Sequence, residues 1–319
     1  MKLYPLQFFP IIKDRIWGGT KLKTVLNKTI NSEISGESWE ISTVPNDISI
    51  VKNGVLKDKS LNELIDSYPS EILGNQVYQR FGKQFPLLFK FIDAKSDLSI
   101  QVHPNDELAQ KRHNSFGKTE MWYVMQADDE ARLIVGFKYK SSPEEYLKNL
   151  QNKTLETILD SKKVAQGDVF FLATGTVHAI GAGTVIAEIQ QTSDITYRIY
   201  DFDRVDANGN KRELQLDNAM DAINFNVVKS KIEYPKQINQ SNEVVHCPYF
   251  KTNFIALNEQ LSIQNDKDSF LVYMCVEGNF EIDLENQKYA YKKGDTVLIP
   301  AEIKDFKLLG NASLLEIYI

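Results

Sequence analysis

Cysteine is nearly absent from this chain of 319 residues, in which Cys247 and Cys275 are the only two. So few thiols exclude a disulfide framework and a zinc site built from cysteines, and they are typical of a reducing compartment. No apolar run approaches the length of a membrane span, and residues 6–12 are too short and too interrupted by proline to form the apolar core of a signal peptide. We therefore expect a cytoplasmic protein.

Positive charge is also in short supply, with 37 lysines and arginines against 43 aspartates and glutamates and a formal net charge of -6. An acidic chain of this kind is a poor partner for nucleic acid or for an anionic membrane surface. An anionic substrate would need a local group of cations. The length leaves room for two domains, or for one large β unit with additions.

Histidine is scarce as well, and of the four in the chain His103 ends a segment, residues 98–103, in which apolar and polar residues alternate. This period of two predicts a strand with one polar face. Gln101 and His103 share that face, roughly 6.5 to 7 Å apart, so both can reach one metal ion through bonds of about 2 Å. One strand can therefore supply two ligands.

The chain then continues as a predicted helix over residues 105–112 and returns as a predicted strand over residues 118–125. The helix carries acidic residues in its first turn and basic residues in its last, as the helix dipole favours. On the returning strand Lys118 and Glu120 share a face, which makes Glu120 the candidate third ligand.

A repeated plan appears in two distant parts of the chain. Residues 166–178 contain a Gly-Asp turn, an apolar strand, a second glycine turn and then His178. Residues 293–301 repeat the turn and strand, and the position that corresponds to the histidine is Asp305. The repetition predicts a duplicated β unit whose second copy covers roughly residues 240–319. Because that copy has no counterparts of the other ligand candidates, we expect it to bind no metal.

Short strands with glycine-rich turns, arranged in two antiparallel units, are typical of cupin-type jelly rolls. We predict a mainly β protein with two such units and a few added α-helices. The N-terminal catalytic cupin domain would cover residues 1–235, and a smaller metal-free cupin-like domain would cover residues 236–319.

The added helices have recognisable starts. Ser60 with Glu63, and Ser142 with Glu145, form predicted capping boxes at the beginnings of two helices. The apolar spacing over residues 154–159 and 214–225 is also helical.

His103, Glu120 and His178 form a two-histidine, one-carboxylate set, to which the glutamine two residues before His103 adds a neutral oxygen. These ligand types leave the metal open among zinc and its neighbours, and the open positions would belong to water or substrate. The alternative is a pair of hydrogen-bonded core histidines. We expect His113 to be exposed and His246 to lie in the metal-free half.

Residues 184–198 alternate again, and an unbroken strand would direct Glu188, Asp194 and Arg198 to one face. A bend near Ser193 would break that register, and an edge strand on the surface would explain the same pattern. The strand directly follows the second histidine of the set, so we expect it to begin beside the metal. This favours a pocket lined with charge.

Six motifs follow one another through the first two-thirds of the chain: Trp17-Gly18-Gly19, Gly36-Glu37-Ser38-Trp39-Glu40, Leu98-Ser99-Ile100-Gln101-Val102-His103-Pro104, Gly117-Lys118-Thr119-Glu120, Gly175-Thr176-Val177-His178-Ala179-Ile180 and Ser193-Asp194-Ile195-Thr196-Tyr197-Arg198. With them the chain resembles the class I mannose-6-phosphate isomerases, also called phosphomannose isomerases, of the cupin superfamily. The short spacing between the last two ligand candidates is similar to the short bacterial form, which lacks a large helical insert. The C-terminal third is a weaker match.

The resemblance implies a metal-dependent isomerase that interconverts mannose 6-phosphate and fructose 6-phosphate through an enediol, with a small sugar phosphate as its partner. The implied site has one Zn²⁺ on Gln101, His103, Glu120 and His178, catalytic Arg198 and Lys118, and substrate contacts from Ser99, Glu188 and Asp194.

Several roles stay open at this point. The proton-transferring base can be Lys118, Glu188, Asp194 or a metal-bound water. Arg198 would stabilise the enediolate or orient the substrate, and Lys118 would transfer a proton or bind phosphate. A cupin oxygenase with non-heme Fe(II) uses a similar ligand set, and a non-catalytic sugar-phosphate sensor is a third reading. The glutamine ligand and the cations favour the isomerase, and the oligomeric state is not indicated.

Overall fold

The protein is described from a computed structural model that covers residues 2–206 and 208–319. Within those residues, strands outnumber helices by far, as the sequence predicts. The helices are α1 (Lys21–Thr24), α2 (Leu61–Ser67), α3 (Pro69–Leu73), α4 (Asn75–Phe81), α5 (Asp106–His113), α6 (Pro143–Gln151) and α7 (Leu216–Ala222). The strands are β1 (Ile11–Gly19), β2 (Ser35–Ile41), β3 (Thr43–Val44), β4 (Asp47–Ile48), β5 (Leu87–Ala94), β6 (Ile100–Val102), β7 (Glu120–Ala127), β8 (Arg132–Phe137), β9 (Leu159–Lys163), β10 (Val169–Leu172), β11 (His178–Ile180), β12 (Thr184–Gln191), β13 (Tyr197–Tyr200), β14 (Lys231–Ile232), β15 (Asn242–His246), β16 (Lys251–Gln264), β17 (Leu271–Leu284), β18 (Gln287–Lys292), β19 (Thr296–Ile299) and β20 (Asp305–Tyr318).

Three antiparallel sheets build the molecule. The first has seven strands in the order β1-β2-β5-β12-β7-β10-β14, and the second has five in the order β13-β6-β11-β8-β9. Together these two form the predicted N-terminal jelly roll. The third sheet has the order β15-β16-β20-β17-β18, with β19 also paired to β17. The predicted fold class, mainly β with cupin-type units, is confirmed.

The outer face of the seven-stranded sheet packs against the third sheet and joins the two halves of the molecule in one apolar core. Phe91 of β5 and Val272 of β17 are fully buried there. The rings of Phe85 and Phe270 meet across the boundary with centroids 4.8 Å apart. Helices α2, α3 and α4 contribute buried apolar side chains to the same core. Burial of so much apolar surface is the main favourable term in joining the halves.

The five-stranded sheet is covered on its outer face by α6 and α7. Tyr146 of α6 and Ala219 of α7 are fully buried against Ile100 of β6 and Ile199 of β13. With their apolar side chains directed outward to this layer, the alternating residues of the same strands face the first sheet. The alternation therefore places the polar residues of β6 and β13 between the two sheets.

The first residues of the chain belong with its last strands. The N–H of Leu6 donates to the carbonyl of Leu298 at 2.8 Å, and the N–H of Leu298 donates back at 2.9 Å. The strands before residue 235 otherwise occupy different sheets from the strands after it. The division into domains at residues 235 and 236 stays a prediction.

Most local elements lie where the sequence predicts them. The helix over residues 105–112 is α5, whose N-cap Asn105 accepts a hydrogen bond from the N–H of Leu108 at 2.9 Å. The returning strand begins at Glu120, two residues later than predicted. No helix in the described part of the chain is long and apolar enough to cross a membrane.

The predicted helix starts have mixed outcomes. Ser60 and Glu63 form the complete capping box at the start of α2. Ser142 caps α6, but the carboxylate of Glu145 instead accepts hydrogen bonds from neighbouring hydroxyls, so the second box is only half formed.

The two helical spacings also differ in outcome. The prediction over residues 154–159 is wrong: only one 3-10 turn, Leu155–Thr157, is present, because the chain enters β9 directly and its apolar residues fill the layer beneath the second sheet. The prediction over residues 214–225 is confirmed as the shorter α7.

Candidate active site

The candidate metal ligands converge between the first two sheets. Gln101 of β6 pairs in register with His178 of β11, and Glu120 opens β7 on the facing sheet. His103 follows the end of β6. Ligand atoms of both histidines and the carboxylate all lie within 4.8 Å of one another.

A carboxylate lies between two imidazole nitrogens. Oε1 of Glu120 is 3.4 Å from Nε2 of His178, and Oε2 is 3.5 Å from Nε2 of His103. All three side chains are at most 2 % exposed. The surrounding protein therefore shields the three side chains from bulk water.

Backbone carbonyls fix the orientation of both rings. Nδ1 of His103 donates to the carbonyl of Ile195 at 2.9 Å, and Nδ1 of His178 donates to the carbonyl of Thr176 at 2.8 Å. A carbonyl oxygen only accepts, so the ring proton must be on Nδ1. Nε2 of each neutral ring then directs a lone pair at the centre of the site, as second-shell bonds do for metal-ligating histidines.

Neither oxygen of Glu120 has a hydrogen-bond partner. Lys118 forms an ion pair with Oε2, but a buried carboxylate without hydrogen bonds is costly, and here it faces two imidazole nitrogens, which a divalent cation would bind together with it. Nε2 of Gln101 lies 3.2 Å from Nε2 of His178, and exchange of its amide oxygen and nitrogen would aim the oxygen at the same point. The residues present therefore fit a metal ion.

The histidines are neutral in these surroundings. Burial, and then the charge of Lys118, lowers the pKa of His103 to about 3. Burial also lowers the pKa of His178. Neutral imidazole is the form that binds metal.

Lys118 is the buried cation closest to this set. Its Nζ lies 3.1 Å from Nε2 of His103 and 3.3 Å from Oε2 of Glu120. Burial alone would lower the pKa of Lys118, but the charges of Glu120 and Glu188 raise it above its usual value. For Glu120 the direction is opposite: burial alone would raise its pKa, but Lys118 and the adjacent imidazole rings hold it well below its usual range. The pair stays ionised.

A cavity of about 530 Å³ adjoins the set through Gln101 and Lys118. Six of the residues singled out by the sequence line it: Ser99, Gln101, Lys118, Glu188, Asp194 and Arg198. The structure thus brings the predicted substrate contacts and the predicted catalytic residues to one pocket. His113 and His246 lie elsewhere and are exposed, as expected.

The strand that carries Glu188 is placed differently from either expectation. β12 lies between β5 and β7 in the middle of the first sheet and is buried throughout, so it is not an edge strand. It does not begin beside the metal site either: Thr184 pairs with Ala127, whereas Gln190 pairs with Glu120. A turn after β11 leads the chain away first, so β12 ends at the site.

The predicted break near Ser193 is real. β12 ends before it and β13 begins at Tyr197 in the other sheet. Asp194 and Arg198 nevertheless line the same cavity as Glu188, because the chain crosses from one sheet to the other at the cavity mouth.

Lys90 is a pocket residue that the sequence reasoning missed. Its Nζ lies 3.1 Å from Oε2 of Glu188, whose Oε1 accepts a hydrogen bond from Nε1 of Trp122 at 3.0 Å. The signal was available, since this lysine interrupts a run of apolar residues in β5. A buried cation in such a strand needs a partner.

Glu37 is a second missed residue, in the middle of a motif that was noticed. Its Oε2 accepts from Arg15 at 2.9 Å and from Trp39 at 2.7 Å. Burial would raise its pKa, but Lys90 and then Arg15 lower it to about 2. Trp39 and Trp17 are buried, and both also line the cavity.

Arg198 lines the cavity from β13, in register with Gln101 of β6, and is half-buried. Its Nη1 donates to the carbonyl of Glu213 at 2.9 Å, and its Nε has no partner. Burial, and then the like charge of Arg212, lowers its pKa. Arg212 lines the cavity beside it and donates through Nε to Asp201 at 2.7 Å.

Family models match both ends of this chain. One, described as "Phosphomannose isomerase type I, catalytic domain", matches residues 5–131, and another, described as "Mannose-6-phosphate isomerase, cupin domain", matches residues 239–319. The first includes three of the four candidate metal ligands. His178 and Arg198 lie between the two matched regions.

Full-length relatives are similar over nearly the whole chain. The chain is 38% identical to mannose-6-phosphate isomerase ManA of Bacillus subtilis over 98% of each protein. It is 36% identical to the mannose-6-phosphate isomerase of Streptococcus mutans, over 98% of this chain and 97% of that one. A crystal structure of the Bacillus subtilis isomerase superimposes with a TM-score of 0.91 at 33% identity, covering 99% of this chain and all of that one. The chain belongs to the type I phosphomannose isomerases.

Proposed function

We propose that this protein interconverts mannose 6-phosphate and fructose 6-phosphate through an enediol, with the help of a divalent metal ion, Zn²⁺. The observation that carries the proposal is the buried carboxylate of Glu120, which has no hydrogen-bond partner, between two oriented imidazoles and beside the Lys118 ammonium. Family membership supplies the reaction, and the cavity supplies room for a small sugar phosphate.

The metal would be held by His103, Glu120 and His178, with Gln101 as the fourth ligand. The ion would supply Lewis-acid stabilisation of negative charge on the sugar oxygens. Its other positions would face the cavity.

Aldose–ketose isomerisation moves a proton between carbons 1 and 2 of the sugar and charges the oxygens on them. Lys118 stays protonated against Glu120, so it can donate a hydrogen bond or a proton to one of those oxygens. The phosphate, on the far carbon of the sugar, would not lie at Lys118. This favours a role in proton transfer for the lysine over phosphate binding.

The other polar residues divide the remaining tasks. Both oxygens of Glu188 face cations or donors, namely Lys90 and Trp122, which suits positioning better than proton abstraction. Asp194 is exposed at the cavity mouth and is the freer carboxylate. Arg198 presents unused donors from the second sheet, suitable for orienting an anionic substrate.

The test is conversion of mannose 6-phosphate to fructose 6-phosphate by purified protein before chelation, after chelation and after zinc is restored. We expect turnover to disappear with the chelator and to return with zinc, and bound zinc to follow the activity. His246→Gln, a histidine outside the site, is the matched control and should behave as wild type. Absence of turnover in metal-loaded protein would overturn the proposal, and iron-dependent oxygen uptake would replace it with an oxygenase.

A further inference from the structure

Most cations at the cavity have a carboxylate of their own. The pairs are Lys13 with Asp47, Arg15 with Glu37, Lys90 with Glu188 and Lys118 with Glu120. Each pair is electrically neutral, so none of them leaves a surplus of positive charge for an anion. The mainly acidic chain therefore balances its charge along this wall.

The edge of the cavity formed by the second sheet has fewer carboxylates than cations. We call it the arginine edge, after Arg198, Arg204 and Arg212. Arg204 and Arg212 share the single carboxylate of Asp201, and Arg198 has no carboxylate within salt-bridge distance in the described part of the chain. The exposed carboxylate of Glu213 contributes only a weak opposing charge there. Three guanidinium groups against one buried carboxylate leave about two positive charges. A phosphate dianion carries the complementary charge.

The distances across the sheets favour the same edge. Arg198 of β13 pairs in register with Gln101 of β6, one strand spacing of about 4.8 Å from a candidate metal ligand. Gln215 holds the segment that contains Arg212 against β13. Its N–H donates to the carbonyl of Arg198, and its Oε1 accepts from the N–H of Arg198, both at 2.9 Å.

The alternative cations lie farther from the chemistry. Lys13 and Arg15 are on β1, four strands from β7 in the sheet order, or about 19 Å at the usual spacing. Lys13 and Arg15 line the same cavity, but their backbone lies farther from a candidate metal ligand than that of Arg198.

We propose that Arg212, held in place by Asp201, binds the phosphate group of the substrate together with Arg198. Arg204 lies on the other side of Asp201 and fixes it, with a further bond from Arg204 to the carbonyl of Asp97. Asp201 is then a positioning residue, and Arg212 determines specificity for phosphorylated over free sugar. This inference rests on the proposed function for the identity of the sugar, but not for the anion.

The kinetic test is Arg212→Gln assayed with mannose 6-phosphate. We expect KM to rise about 10- to 100-fold, the range for loss of a hydrogen bond to a charged group, with kcat changed much less. Inorganic phosphate should inhibit the variant correspondingly less well than wild type. Lys211→Gln is the matched control: the same charge is removed from the adjacent, exposed residue that pairs with Asp203, and its KM should stay at the wild-type value.

Two further variants separate charge from geometry. Arg212→Lys keeps the charge but loses the planar fork, so its KM should lie between wild type and Arg212→Gln; it also carries the test if the glutamine variant does not fold. Asp201→Asn keeps both arginines but releases them, and its smaller rise in KM should come without a change in the pH profile of kcat.

Binding of inorganic phosphate, measured by calorimetry, keeps this inference separate from the proposed function. Wild type that binds phosphate and Arg212→Gln that does not would support the anion site even if mannose 6-phosphate were not turned over. Equal phosphate binding, or an unchanged KM in Arg212→Gln, would overturn it.

Discussion

Two sheets of this protein share one plan and differ in use. The strands β2-β5-β12-β7-β10 of the first sheet and β15-β16-β20-β17-β19 of the third lie in the same spatial order. The predicted repeat marks the equivalence, because Gly167 before β10 and Gly294 before β19 both have φ of +88°, a conformation that glycine adopts without strain.

The equivalence extends to individual residues. Counting from the two glycine turns, Trp122 corresponds to Tyr273 and Glu188 corresponds to Glu316. Trp122 is paired with Glu188 across neighbouring strands, and Tyr273 is paired with Glu316 in the same way. Tyr273 donates to Oε1 of Glu316 at 2.9 Å, as Trp122 donates to Glu188 at 3.0 Å. A buried glutamate with an aromatic donor is therefore common to both units.

The two units differ at the position of the candidate metal ligand Glu120. Glu120 pairs with Leu172 in the first sheet, and the corresponding pair in the third is Leu271 with Ile299. Aromatic side chains fill the interior of the unit built on the third sheet, where the rings of Phe280 and Tyr291 stack with their centroids 5.0 Å apart. A buried carboxylate alone therefore does not make an active site. The first unit has, in addition, a second carboxylate, two histidines and a cavity.

The largest expected effect is at the position where the units diverge. Glu120→Gln should lower kcat/KM about 10⁴-fold and abolish zinc binding, because Lewis-acid stabilisation is worth several kcal/mol and a neutral amide does not balance the ion. Turnover and metal content after dialysis are the measurements. Leu271→Met, a volume-conserving change at the equivalent position, should leave both unchanged. Retention of zinc by Glu120→Gln would contradict the assignment.

The next effect tests whether the two units unfold together. Phe270→Ala, directly before β17 of the third sheet, should lower the free energy of unfolding by about 3–5 kcal/mol. All three tryptophans lie in the first unit, so their fluorescence in urea reports on that unit alone. A shift of the fluorescence transition shows coupling through the shared core. Ile238→Ala, at an exposed residue, is the control, and an unshifted transition in Phe270→Ala would show that the units unfold independently.

A third comparison replaces the equivalent glutamates. Glu188→Gln leaves Lys90 buried without its ion pair next to the cavity, and we expect turnover to fall about 100-fold through misplaced groups. Glu316→Gln should lower the free energy of unfolding by about 1–3 kcal/mol and leave turnover unchanged. Steady-state kinetics and urea unfolding measure the two outcomes. Equal losses of turnover would mean that the second unit takes part in catalysis.

The smallest effect concerns the helices added to the β units. Ser60→Ala removes a complete capping box from α2, beside the shared core, and should cost about 1 kcal/mol without changing KM. Ser142→Ala removes a single bond from α6 and should cost less. The urea midpoints of the two variants test the order, and a reversed order would contradict the importance assigned to the complete box.

The sequence alone indicates which residues of the candidate site come together when those residues are close in the chain. Gln101 and His103 share a strand face, and Glu120 returns beside them after one helix. Sheet order is not contained in periodicity, which explains why an edge strand stayed an alternative for β12 and why its start, rather than its end, was expected beside the metal. Lys90 could have been found from its apolar neighbours.

The arginine edge could not be predicted in the same way. Arg212 and Asp201 meet through an irregular segment, and their significance depends on which cations already have partners elsewhere. Charge pairing of that kind is a property of the folded chain. The fold class was accessible because the repeat and the turn residues carry it directly.

The pairing of Leu6 with Leu298 has a consequence for biosynthesis. During synthesis the first residues leave the ribosome long before their partner strand exists, so the N-terminal segment must wait for almost the entire chain. Contacts between such distant positions slow folding, and an unpaired segment is exposed to other chains in the meantime. The last step in forming this enzyme is therefore expected to be the closing of its two ends, after the cavity-bearing sheets have already formed.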